Sequence, residues 1–167
     1  RDLQVWSNLA WMGVVARRHP QVRALIAQDR DYSHDQLIAL MNLQHELVTK
    51  VLPLWKTVPG ISLSPYTHPI LPLLVDFSHV RRAMPHVPDE VQFRHPDDAR
   101  RHIEEALVRG DAAFGRRIRG MWPGEGSVSP EAAAIAARAG VHWWATDQEV
   151  LDRSDRDGPP DPRRAWT

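Results

Sequence analysis

Residues 118–145 read IRGMWPGEGSVSPEAAAIAARAGVHWWA, and this stretch decides the fold class. Its two short apolar runs, 118–122 and 141–145, predict strands, and the alanine-rich run between them predicts a helix. Ser129 supplies that helix with an N-cap, and Gly140 supplies its C-terminal stop. A strand, a helix and a second strand in succession are typical of a parallel strand pair with a helical crossover.

The segments on the amino-terminal side add one strand and several helices. The alternation in residues 61–64 predicts the third strand, and the proline and aspartates at 96–98 predict the start of a helix. Residues 2–16 have a helical rhythm, and Ser33 opens a further helix with Gln36 as its capping-box partner. The sequence therefore predicts only helices in the amino-terminal third of the chain.

Strands that alternate with helices indicate an α/β fold with a mostly parallel sheet. Three strands are too few to close a barrel. Either strands in the first 60 residues escape the pattern, or the chain is an open part of a barrel and a piece of something longer. We favour the second interpretation, with residues 1–154 as the central part of a barrel and residues 155–167 as a loose, charged, proline-rich tail.

Composition excludes several classes of partner. The 167 residues carry 21 basic and 21 acidic side chains, so no charged surface suited to nucleic acid is expected. No apolar stretch approaches the roughly 20 residues that cross a bilayer, so no membrane partner is expected. There is no cysteine, and the nine histidines lack the spacing of metal ligands, so we expect no metal and no cofactor. No signal-peptide pattern is visible, and we expect a cytoplasmic protein.

Three loops follow the predicted strands, at residues 65–68, 122–127 and 146–149. The carboxyl ends of parallel strands meet at one edge of a sheet, which is where α/β proteins place their ligand sites. We therefore expect the side chains of these loops to line one rim. The candidate site residues are Tyr66, His68, Trp122, Glu125 and Asp147.

Glu125 stands between two glycines and follows Trp122 by three positions. A carboxylate beside an aromatic face suits a sugar ring, which offers apolar C–H patches and many hydroxyls. Retaining glycoside hydrolysis needs two carboxyl groups roughly 5–5.5 Å apart. Strands that neighbour each other in a sheet are about 4.8 Å apart, so Asp147 is the second carboxylate that the residues nominate. Asp147 can equally serve as the cap of the helix that follows it.

Five stretches of the chain, in order, resemble the retaining α-glucan enzymes of glycoside hydrolase family 57. They are DLQVWSNLAW at 2–11, SPYTHPILPLL at 64–74, FRHP at 93–96, GMWPGEGSVS at 120–129 and ATD at 145–147. The resemblance implies an incomplete (β/α)7-type barrel, with parallel strands and flanking helices. It also implies action on α-linked glucans by double displacement.

The resemblance also implies residue roles. Glu125 matches the nucleophile of the family, and Trp122 matches an aromatic residue near the substrate. Tyr66 and His68 match a stretch that lines the same cleft and contacts hydroxyls. The general acid/base of the family is an aspartate that lies further along than this chain reaches. Asp147 is therefore kept as a substrate contact, and the isolated chain is expected to be inactive.

Two functions follow as expectations. The first is a segment of a glycoside hydrolase or transglycosylase of the α-amylase or 4-α-glucanotransferase type, with an α-glucan polysaccharide or oligosaccharide as its partner. The alternative is a catalytically inactive carbohydrate-binding or scaffold segment. In either case an incomplete barrel leaves unpaired strand edges, so we expect self-association of the isolated piece.

Overall fold

A computed structural model describes residues 1–88 and 91–150. The chain divides into two compact units, Arg1–Pro59 and Gly60–Thr167. The predicted tail at 155–167, and with it the boundary at 154, lies outside the described residues. Within the described residues, no helix is both long enough and apolar enough to cross a membrane.

All the regular secondary structure of the first unit is helical. Its helices are α1 (Asp2–Ala10), α2 (Pro20–Gln28), α3 (His34–Thr49) and α4 (Val51–Lys56), with a 3₁₀ turn at Ala16–Arg18. The capping box is confirmed, because the Ser33 hydroxyl accepts from the Gln36 N–H while the Gln36 side chain accepts from the Ser33 N–H. The helix predicted over residues 2–16 ends at Ala10 instead.

A buried tyrosine fills the centre of this unit. Tyr32 is almost fully buried, and its hydroxyl donates to the Leu25 carbonyl at 2.8 Å, so its polar group is satisfied. The carboxylate of Asp2 accepts from the N–H groups of Asp31 and Tyr32, both at 3.1 Å. These bonds lower the pKa of Asp2 below its ordinary value, the bond from Asp31 first. The turn before α3 is thereby tied to the start of α1.

The second unit contains the sheet. Its strands are β1 (Ser62–Leu63), β2 (Gly120–Met121) and β3 (Trp143–Trp144), and its helices are α5 (Leu71–Val75), α6 (Val80–Ala83), α7 (Pro96–Phe114) and α8 (Pro130–Ala139). Two 3₁₀ turns lie at Phe77–His79 and Gly124–Gly126. The chain is helical again from Gln148 to the end of the described residues.

The sheet order is β1-β2-β3, and both strand pairs are parallel. Ser62, Gly120 and Trp143 form one row of the register. The mixed α/β prediction with parallel strands is confirmed, although each strand is shorter than its apolar run. The three strands form an open sheet, and the described residues do not form a closed barrel.

One face of this sheet carries the core. Met121 of β2 and Ile103 of α7 are fully buried in a cluster with α5 and α8. Leu63 of β1 packs so closely on Gly110 of α7 that a Cβ at Gly110 would collide with the leucine side chain. Side chains alternate along a strand, so Gly120, adjacent to Met121, belongs to the opposite face. The indole of Trp143 lies against Gly120 there and is half exposed.

An ion pair ties α6 to the first turn of α8. The Arg82 guanidinium donates two bonds to the Glu131 carboxylate, at 3.0 and 2.8 Å. His79 Nε2 lies 3.7 Å from Glu131 Oε2. Chiefly because of Arg82, and then because of a backbone N–H, the pKa of Glu131 falls from 4.5 to about 2. Glu131 also lies at the positive end of the α8 dipole, which favours its charged form.

This pair predicts a pH dependence of the free energy of unfolding. A carboxylate with a lowered folded-state pKa stabilises the fold above its unfolded pKa and loses that contribution as the pH falls. For Glu131 the loss falls between pH 4.5 and about 2. Urea unfolding across this range should show a smaller decline for Glu131→Gln than for the wild type. Arg82→Gln should flatten the decline in the same way. An unchanged decline in both variants would contradict the assignment.

Candidate active site

The three loops after the strands leave the sheet at one edge. The parallel register alone places them there, and two hydrogen bonds continue the pairing by one residue. The Trp122 N–H donates to the Leu63 carbonyl at 2.8 Å, and the Ala145 N–H donates to the Met121 carbonyl at 3.0 Å. The strand pairing therefore extends up to the residues at which the loops begin.

The first two loops touch through their backbones at Gly124. A Cβ at Gly124 would collide with the carbonyl oxygen of Pro69 and would lie 3.0 Å from that of His68. A real Cβ has no room at this position, so the close approach requires glycine. Gly124 is buried, whereas the residue after it is exposed. The glycine before the candidate nucleophile thus brings the His68 loop against the Glu125 loop.

Both loops contain left-handed backbone at the point of contact. Glu125 has φ 56° and ψ 24°, and Gly126 has φ 64°. Thr67 and His68 both have φ 58°. A left-handed conformation costs a non-glycine residue roughly 1–2 kcal/mol, and such residues cluster at functional sites, where the surroundings hold them in place. The surrounding structure therefore holds the backbone of Glu125 and His68 in this strained, left-handed conformation.

The candidate nucleophile faces the candidate histidine. Glu125 Oε1 lies 3.8 Å from His68 Nε2, and the two side chains are 72% and 44% exposed, respectively. This separation is longer than a hydrogen bond, so the two groups are neighbours without a formed bond. The carboxylate is open to an incoming ligand. The structure thus brings together two predicted residues that are far apart in the sequence.

Gly126, the residue after Glu125, lies close to two more candidate residues. A Cβ on Gly126 would lie 3.5 Å from the Trp122 ring and 3.5 Å from Asp147 Oδ2. Trp122 and Asp147 therefore approach the same spot, and both are exposed. An aromatic ring and a carboxylate at one place can receive the C–H face and the hydroxyls of a sugar.

Thr146 holds the Glu125 loop to the end of β3. Its hydroxyl donates to the Gly126 carbonyl at 2.7 Å. Sequence reasoning missed this residue, although it adjoins Asp147 in a predicted loop. Only the register of β2 and β3 shows that its hydroxyl reaches the neighbouring loop.

Tyr66 takes a different position. Its ring stacks on His102, with ring centroids 6.3 Å apart, and the Arg109 guanidinium lies 4.7 Å from its centroid. Its N–H donates to the His102 carbonyl at 2.9 Å, and its carbonyl accepts from His102 Nδ1 at 2.6 Å. These ring contacts lie on α7, and a contact between Tyr66 and substrate stays a prediction. In the described ranges, no group of three or more His, Cys, Asp or Glu side chains is placed to hold a metal ion.

An exposed carboxylate beside a tryptophan, at the carboxyl edge of a parallel sheet, is an arrangement suited to a carbohydrate-active enzyme. Residues 4–166 match the family model described as glycosyl hydrolase family 57, which is nearly the whole chain. The chain belongs to glycoside hydrolase family 57. Membership supports a glycoside hydrolase or transferase that acts on α-glucans. No match was found among curated proteins or among solved structures.

Gly124→Ala tests the backbone contact between the loops. The added methyl must push the Pro69 carbonyl away, and overpacking of this kind costs about 1–3 kcal/mol. We expect a lower free energy of unfolding by urea and a loss of activity in the full-length protein. Gly60→Ala is the matched control, because a Cβ at Gly60 meets no atom within 4 Å. Equal effects of the two substitutions would show that the contact carries no constraint.

Proposed function

We propose that the protein containing this chain is a retaining glycoside hydrolase or transglycosylase of the α-amylase or 4-α-glucanotransferase type, with Glu125 as its nucleophile. The observation that carries the proposal is the exposed Glu125 carboxylate. The backbone of Glu125 is left-handed, His68 Nε2 lies 3.8 Å from its Oε1, and Trp122 and Asp147 both approach the next residue, Gly126. Family membership supplies the substrate class.

The reaction has two displacements. In the first, a Glu125 oxygen bonds to the anomeric carbon as the bond to the leaving sugar breaks, and a protonated acid gives its proton to the leaving oxygen. In the second, water or a sugar hydroxyl attacks the same carbon and gives its proton to the same group, now a base. The Glu125 carboxylate is then released. Water yields hydrolysis, and a sugar hydroxyl yields transfer. We place the acid/base on an aspartate outside residues 1–167.

The neighbouring side chains hold the substrate. Trp122 is 36% exposed, and its ring can stack on the apolar face of a glucose unit. Asp147, at the same spot, can accept hydrogen bonds from sugar hydroxyls. Tyr66 and His68 stand at the start of the facing loop. We further propose that the open sheet is the central part of a (β/α)7-type barrel, which other strands of the full-length protein complete.

Covalent labelling tests the nucleophile. We expect a fluorinated α-glucosyl fluoride, offered to the full-length protein, to label Glu125, because fluorine slows release of the glycosyl-enzyme ester. Peptide mapping by mass spectrometry locates the label. Glu125→Gln should remain unlabelled and should lose activity by on the order of 10³-fold or more. Glu131→Gln is the matched control. It should label normally, because the Glu131 carboxylate is bound by Arg82 and is not the proposed nucleophile.

The outcomes separate the two candidate functions. A label on another carboxylate would overturn the assignment of Glu125. A full-length protein that binds α-glucan but neither turns it over nor takes a label would be an inactive carbohydrate-binding segment instead.

A further inference from the structure

We propose that His68 is a positioning residue for Glu125, which orients the nucleophile for attack instead of binding the sugar. The inference rests on the proposed function of Glu125. It concerns how one exposed carboxylate is held in the orientation that bond formation requires.

The backbone sets the position of His68 without help from a ligand. His68 and the residue before it are both left-handed, and the His68 N–H donates to the Pro65 carbonyl at 2.8 Å. The carbonyls of His68 and Pro69 lie against Gly124, which directly precedes Glu125. Because the two backbones are in contact, the side chains of His68 and Glu125 begin at neighbouring positions. The separation of 3.8 Å between Nε2 and Oε1 follows from this arrangement.

The groups around the Glu125 loop differ in what they contact. The Trp122 ring and the Asp147 carboxylate, which are the groups that suit a sugar, lie against Gly126. The His68 carbonyl lies against Gly124, and the His68 ring stands next to the Glu125 carboxylate, with 3.8 Å between Nε2 and Oε1. This proximity favours a role for His68 toward Glu125.

An exposed glutamate needs such a partner. Its side chain has several rotamers, whereas attack requires one orientation of one oxygen. A donor on Oε1 selects that orientation and leaves the other oxygen free to attack. The separation of Nε2 and Oε1 is longer than a hydrogen bond, and catalytic hydrogen bonds commonly tighten when substrate binds.

The test uses His68→Gly in the full-length protein, because glycine accepts the left-handed backbone and leaves room for free imidazole. We measure the first-order rate of Glu125 labelling at a saturating concentration of the fluorinated α-glucosyl fluoride. The affinity for an unreactive maltooligosaccharide analogue is measured separately. We expect labelling to slow by on the order of tenfold to a hundredfold, while the affinity changes by less than about threefold. Added imidazole should restore much of the rate.

Two further variants serve as controls. His68→Asn also tolerates left-handed backbone but is too short to reach Oε1, so it should label slowly and should not respond to imidazole. His86→Gly removes an exposed histidine in a turn of the same unit and should label like the wild type.

Two results would overturn the role of His68 alone. One is an unchanged labelling rate in His68→Gly, and the other is a loss of affinity for the analogue with no change in that rate. The second result would make His68 a substrate contact. A wild-type protein that takes no label on Glu125 would overturn the proposed function, and the role of His68 with it.

Discussion

The backbone contact between Gly124 and Pro69 is the constraint on which the candidate site depends. Parallel strands bring their loops to one edge, but strand spacing alone does not place a glutamate beside a histidine from another loop. The missing side chain of Gly124 allows that approach. The left-handed residues on both sides then turn Glu125 and His68 toward each other.

Helix α7 anchors one of the two loops that make this contact. The backbone of Tyr66 exchanges two hydrogen bonds with His102, one through the carbonyl of His102 and one through its ring. Leu63, three residues earlier, packs on Gly110 of the same helix. The loop that carries His68 is therefore anchored to α7 before it reaches the Glu125 loop. This gives Tyr66 a structural role in addition to the substrate contact that the sequence predicts.

The sequence predicted those features that depend on neighbouring residues. The Ser33 capping box, the Ser129 N-cap and the Gly140 stop are local, and each appears as expected. Helix α2 was not predicted from the sequence, although Pro20 occupies its first turn, where proline is favoured. The contacts of Glu125 with His68, and of Thr146 with Gly126, depend on strand register and could not be predicted from local pattern. The ring of Tyr66 rests on a helix residue 36 positions away, which no spacing rule indicates.

The left-handed conformation of Glu125 limits how the site can be re-engineered. A glycosynthase is made by replacing a nucleophile with a small inert residue, so that an activated donor of the opposite anomeric configuration is joined to an acceptor and the product is not cleaved. Alanine or serine, the usual choices, would carry the strain of φ 56° without the original side chain. Glycine or asparagine accepts that backbone, so these two are the replacements to choose at Glu125, the proposed nucleophile.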